Sequence, residues 1–148
     1  MTITPNNTSQ PLDASDFTDI WATIESGATA ADGQMLAAAM NTIILRDAIL
    51  SETARQRAWS QLEHASVIAA RTANTQHTPV AGPMTLHALA CTVTGDTGSA
   101  VVLLDIVLTT DPDYTLARLA IRAITAQMPG YAIAGLFATI PLADCLHL

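Results

Sequence analysis

Apolar residues in this chain recur at three- and four-residue intervals, the period of a helix buried along one face, and Gly or Pro interrupts most of the runs before the next begins. Phe17, Ile20, Trp21 and Ile24 fall at i, i+3, i+4 and i+7, with Asp13 or Ser15 placed ahead as N-cap and Gly27 behind as terminator. Met35, Leu36, Ala39, Met40, Ile43 and Ile44 carry a second stripe on into the run LRDAIL, with Ser51 as its boundary. A third face holds Ala58, Trp59, Leu62, Ala65, Ser66 and Ala69, and Glu52 and Arg55 are spaced to pair on its solvent side. The segment at 73–82, ANTQHTPVAG, reads as a linker between two helical layers.

Beyond that segment, Pro83 suits a first helical turn, where its missing N–H has no intrahelical acceptor to lose. The helix it opens carries Leu86 to Cys91 and stops at Gly95; Asp96 then caps a second, with Ala100, Leu103, Leu104, Val107 and Leu108 on its apolar side. The run VVLLDIVL inside it is β-branched enough to pass for a strand, but its flanks keep the helical period. Asp111 and Asp113 around Pro112 are placed to cap a sixth helix with Leu116, Leu119, Ala120, Ala123 and Ile124, which Met128-Pro129-Gly130 closes, and a shorter seventh runs through YAIAGLFATI before Pro141. The expected fold is all-α: a compact domain of six to seven helices over residues 13–148, behind a flexible N-terminal arm at 1–12. Within it the pattern separates N-terminal helices at 13–72, a helical hairpin plus one helix at 83–128 and short C-terminal helices at 130–148.

A chain of 148 residues, half of them apolar and only 13% charged, can bury one real core without staples. Its six basic residues, all Arg, face thirteen acidic ones, and the formal charge of −7 disfavours nucleic acid and anionic membranes as partners. The absence of lysine excludes a P-loop, a Schiff base and a kinase strand lysine. Cys91 and Cys145 form no CxxC, the opening MTITPNNTSQP lacks an apolar leader, and no run is long enough to span a membrane, so a reducing cytoplasm is the expected compartment.

Gly95-Asp96, Ala100, Leu104, Val107-Leu108 and Asp111-Pro112 resemble the turn and second helix of a tetratricopeptide repeat, with Ala88 upstream where such repeats need a small residue. Met84, Gly98 and Cys91 replace its usual aromatics, and no second copy follows, so no solenoid is implied. A wider resemblance covers roughly residues 30–130 and rests on Arg46-Asp47-Ala48, Trp59, the Pro83-led helix, GDTGSAVVLLDIVLTTDPDYTLARL and Met128-Pro129. These look like the C-terminal half of an actinobacterial domain-of-unknown-function family, numbered forty-one ninety-two, with members in phages of those bacteria. That resemblance implies an actinobacterial or phage source, which suits the Ala/Thr-rich, lysine-free composition, and the lack of the further N-terminal region of longer members. It supplies no activity and no catalytic residues.

Candidate sites follow from residue chemistry. Arg118 and Arg122, one turn apart, can clamp a carboxylate or other anion, and Arg55 and Arg57 beside Trp59 have the composition of an interface hot spot; an ordinary solvated face and a core tryptophan are the alternatives. His87 and Cys91, at i and i+4, can offer two zinc ligands, with His64, Cys145 or His147 brought in by folding, though a buried Cys serves equally as a small hydrophobe. The Gly95–Ser99 segment is read as turn and cap rather than as an anion site. No catalytic residue and no cofactor is expected. The leading expectation is a non-catalytic protein-protein interaction module binding an unidentified protein partner, a modulator of a cellular protein if phage-encoded. A metal-dependent enzyme or zinc-binding domain on His87 and Cys91 is the second, and a homodimer buried through LFATIPLADCLHL the third.

Overall fold

The structure is a computed structural model that describes residues 11–146, so most of the expected arm, residues 1–10, and the candidate ligand His147 lie outside the described residues. Leu12, assigned to the arm, instead packs half-buried against the core. Nine α-helices and no strand occur among the described residues: α1 Phe17–Ser26, α2 Gly33–Met40, α3 Ile43–Gln56, α4 Trp59–Thr75, α5 Ala81–Thr94, α6 Thr97–Thr110, α7 Thr115–Thr125, α8 Gly130–Ala138 and α9 Leu142–Leu146. The all-α expectation holds, with two more helices than the periodicity resolved.

The first stripe behaves as its spacing dictates: Phe17, Ile20, Trp21 and Ile24 are all buried on α1, and Asp13 caps the 3₁₀ turn that leads into it. The second stripe breaks at Asn41. There the amide side chain donates to Ala37 O at 3.0 Å and to Pro79 O at 2.8 Å, while its own oxygen accepts the Gly82 N–H at 3.0 Å, and the chain turns into α3. Asn competes with the helical backbone in this way wherever its side chain finds partners nearby.

Ser51 is not a boundary. It is fully buried and donates its hydroxyl to Ile140 O at 2.6 Å, and α3 runs on past it. The true stop is Arg57, which takes the left-handed conformation at φ 55°, with Ala58 N–H returned to Thr53 O at 2.9 Å and Arg57 N–H to Ala54 O at 3.4 Å. His77 after α4 and Gln127 after α7 adopt the same conformation, so three helices end on left-handed residues that are not glycine. Gly27 and Gly95 end α1 and α5 as expected.

The segment at 73–82 does not separate layers. It forms the turn of the most closely packed hairpin, α4 against α5, where Ala65, Ala69 and Ala73 meet a helix bearing Gly82, Ala88 and Ala90. Gly82 has no alternative there: a Cβ would fall on the Met40 carbonyl. Around this pair, α2 covers α4, α6 covers α5, and α3 is closed by α8 and α9. Ile24, Leu36, Leu62, Leu86 and Leu104 lose all solvent contact, each worth about 1.5–3 kcal/mol relative to exposure.

Arg46 joins α3 to the start of α7, donating to the Tyr114 hydroxyl at 3.1 Å and pairing with Asp47 at 2.9 Å. Tyr114 is the N-cap of α7; neither Asp111 nor Asp113 supplies a capping side-chain bond, contrary to expectation. On α7 itself Leu116 and Ala120 are buried, but Leu119, expected on the core face, stands 52% exposed.

Candidate functional site

The exposed side of Leu119 faces a groove. Its floor is Leu89 of α5, its walls are Leu116, Leu119 and Ala123 of α7 and Ile133, Leu136 and Phe137 of α8, and it encloses about 410 Å³. Leu136 is 58% exposed, and Arg122 is the one charged residue in its lining. The amphipathic spacing of α7 sets this arrangement: with Leu116 and Ala120 committed to the core, Leu119 and Arg122 fall a third of a turn away, onto the rim. Of the two arginines expected to form a clamp, Arg122 therefore lines the groove, and Arg118 is exposed one turn back along α7. Neither takes part in an ion pair among the described residues.

A second depression, of about 450 Å³, lies on the other side of α8 between Arg57, Trp59, Val93 and Tyr131. Trp59 presents only an edge here; its ring is 6% exposed and belongs to the core. Arg55 is not available beside it. Its guanidinium is held by Glu52 at 3.5 Å, the pairing expected from sequence, and donates to Ser51 Oγ at 2.8 Å and to Ile140 O at 3.0 Å. Arg57 is exposed, and Tyr131, missed from sequence, is 81% exposed at the same depression.

The hairpin of α4 and α5 carries the third feature. His87 and Cys91, one turn apart on α5, meet Glu63 of α4, and one ligand atom from each of the three lies within 4.8 Å of the others. Cys91 is buried, and its sulfur belongs to this group. Burial pushes the Cys91 thiol up to about 11, reinforced by the carboxylates of Glu63 and Asp96. Burial lowers His87, against the pull of the same two carboxylates. At neutral pH the thiol of Cys91 thus keeps its proton and must lose it before the sulfur can bind a metal, whereas the imidazole of His87 is held in the neutral form that ligates.

Of the residues expected to join His87 and Cys91, the two that are described, His64 and Cys145, are elsewhere. His64 points its Nε2 at Ala28 O, 2.8 Å away, and Cys145 is buried against α3, where Asp47 and Arg55 influence it. Glu63 was missed because a helix-surface glutamate carries no mark of its own; only the α4–α5 packing brings it opposite Cys91. At the start of α6, Asp96 accepts from Ser99 N–H at 3.1 Å, so that helix terminus is occupied by its own cap, as expected.

The family model described as a domain of unknown function, DUF4192, matches residues 7–130. The chain belongs to this family. The match begins earlier than the resemblance at 30–130, and it takes in α1 to α7 with Glu63, His87 and Cys91. The DUF4192 match ends where α8 begins, so one wall of the apolar groove lies beyond it. No curated protein and no solved structure is similar to the chain. No helix among the described residues is long and apolar enough to cross a membrane.

Proposed function

We propose that the protein is a non-catalytic helical interaction module whose groove between α7 and α8 receives an amphipathic helix of a partner protein. The apolar groove with Arg122 at its rim carries this reading. It offers Leu119, Leu136 and Ile140, each at least 39% exposed, to apolar side chains arriving at i, i+3 and i+4. Arg122 is without an ion pair among the described residues of a chain whose formal charge is −7, so it selects a partner helix with a carboxylate beside its apolar stripe. The floor is supplied by α5, which α6 backs in the manner of a tetratricopeptide-repeat hairpin. The setting is the cytoplasm of an actinobacterium, or of the host if the source is a phage, with a cellular protein as the target.

Selection from a library of amphipathic helical peptides tests this. Recovered peptides should pair an apolar stripe with an acidic residue, lose binding to Leu119→Asp/Leu136→Asp, and bind Arg122→Glu about tenfold more weakly, the loss of one charge-assisted contact of about 1.5 kcal/mol. Peptides that bind both variants as well as the unmodified protein would refute the groove. Sedimentation on the same samples reports a second copy of the chain as the occupant, if a dimer forms and Leu119→Asp/Leu136→Asp dissolves it.

A further inference from the structure

We propose that Glu63, His87 and Cys91 form a zinc site of three protein ligands with its fourth position open to solvent. The first argument is backbone placement. His87 and Cys91 share a face of α5 because they are four residues apart, and Glu63 reaches them from α4, the helix packed most closely on α5. The ligand positions are therefore set by a rigid pair of helices rather than by a loop.

The second argument is distance. Zinc bonds of about 2.0–2.3 Å at tetrahedral angles place neighbouring ligand atoms roughly 3.4–3.8 Å apart. The three donor atoms already lie within 4.8 Å of one another, so side-chain rotation of about an ångström closes the site.

The third argument is that the donors are otherwise idle. No side-chain hydrogen bond or ion pair engages Glu63, His87 or Cys91 among the described residues, although Cys91 is buried and the other two are half-buried. A small buried hydrophobe accounts for Cys91 alone; it gives no reason for a carboxylate and an imidazole to converge on its sulfur. A thiolate, an imidazole and a carboxylate together suit zinc and discriminate against magnesium and calcium, which take oxygen ligands. Glu63 also borders a shallow surface depression on α4 with Ser60, His64, Val67 and Arg71, so one side of the cluster faces solvent.

On binding, the S–H bond of Cys91 breaks, a Zn–S bond forms and one proton leaves to solvent, while His87 coordinates as the neutral ring and Glu63 as the carboxylate. Two negative ligands then balance the dication, and the cluster clamps α4 to α5. Three protein ligands leave room for a water or a ligand from a partner.

The test uses the full chain stripped with a chelator, then titrated with zinc against a chromophoric competitor and, separately, with cobalt. One metal and one released proton per chain are expected, with a thiolate-to-cobalt charge-transfer band. Glu63→Gln, His87→Gln and Cys91→Ser should each weaken zinc binding about tenfold or more. Cys145→Ser should leave both the affinity and the cobalt band intact, which assigns the thiolate to Cys91 even if Cys91→Ser fails to fold. Absence of stoichiometric zinc would overturn the proposal, as would an affinity untouched by Glu63→Gln and His87→Gln in variants that keep wild-type helicity.

Discussion

The side-chain oxygen of Asn41 accepts the backbone N–H of Gly82 at 3.0 Å, fastening the end of α2 to the first turn of α5 across 41 positions of sequence. The contact exists because Gly82 has no side chain: a Cβ there would collide with the Met40 carbonyl and with Asn41 Oδ1. Gly82→Ala should therefore destabilise the fold by about 1–3 kcal/mol, the usual range for forcing an extra carbon into a packed site. Asn41→Ala, which leaves the groups around it unpaired, should lose about 1–3 kcal/mol by another route. Urea titrations of both variants followed by circular dichroism check this, and an unchanged midpoint for Gly82→Ala would mean that α2 and α5 are not in close contact.

Thr85 is completely buried in the first half of α5, and its hydroxyl has no hydrogen-bond partner. Thr85→Val keeps the shape and removes the unsatisfied oxygen, so it should stabilise the protein by about 1 kcal/mol. A thermal melt that moves downward instead would show that the hydroxyl is bonded in solution.

Asp96 has a carboxyl group held below its ordinary value of 3.8, chiefly by the hydrogen bonds it accepts from the Ser99 side chain and backbone. A depressed carboxylate contributes stability that is fully present above its unfolded pKa and is lost as the pH falls through the folded one. Asp96→Ala should accordingly melt at a lower temperature than the unmodified protein at pH 7, with the gap narrowing once the pH drops below 3.8. A gap that stays constant from pH 7 to pH 2 would assign the effect to something other than the charged cap.

His77 sits in the left-handed region at φ 56°, in the turn of the α4–α5 hairpin, with its side chain exposed. A residue with a Cβ is strained there by about 1–2 kcal/mol. His77→Gly relieves that strain but frees the unfolded chain, so the net gain should be about 0.5–1 kcal/mol. Differential scanning calorimetry of this variant measures it directly; a loss of stability would place the imidazole in a contact of its own.

The helical period, read from apolar spacing, located α1, α4, α6 and α7, as Phe17, Ile20, Trp21 and Ile24 show for the first, while α5 and α8 were marked by the Gly and Pro residues at their ends. It failed where a helix ends without a glycine. Arg57, His77 and Gln127 close α3, α4 and α7 through backbone bonds that no side chain announces, and the α2–α3 break depends on an asparagine bonded to residues some 40 positions away. The candidate sites divide in the same way. His87 and Cys91 are legible because i, i+4 is a local relation, whereas Glu63 joins them only through packing. Arg122 was singled out by its spacing from Arg118, but the apolar groove it borders is made by α8 and cannot be read from α7.

Ser51 and Arg55 both donate to the carbonyl of Ile140, and Cys145 and Leu146 seal the same side of α3. A ribosome makes α3 long before it makes that lid. Until about ninety further residues have emerged, the nascent domain carries a polar pair on α3 with no acceptor and an apolar face with no cover, so its last cooperative step waits on the segment that follows Ile140. A chain halted before Ile140 would therefore be handed to chaperones or proteases with that face still open, a signal that disappears once the covering segment has docked.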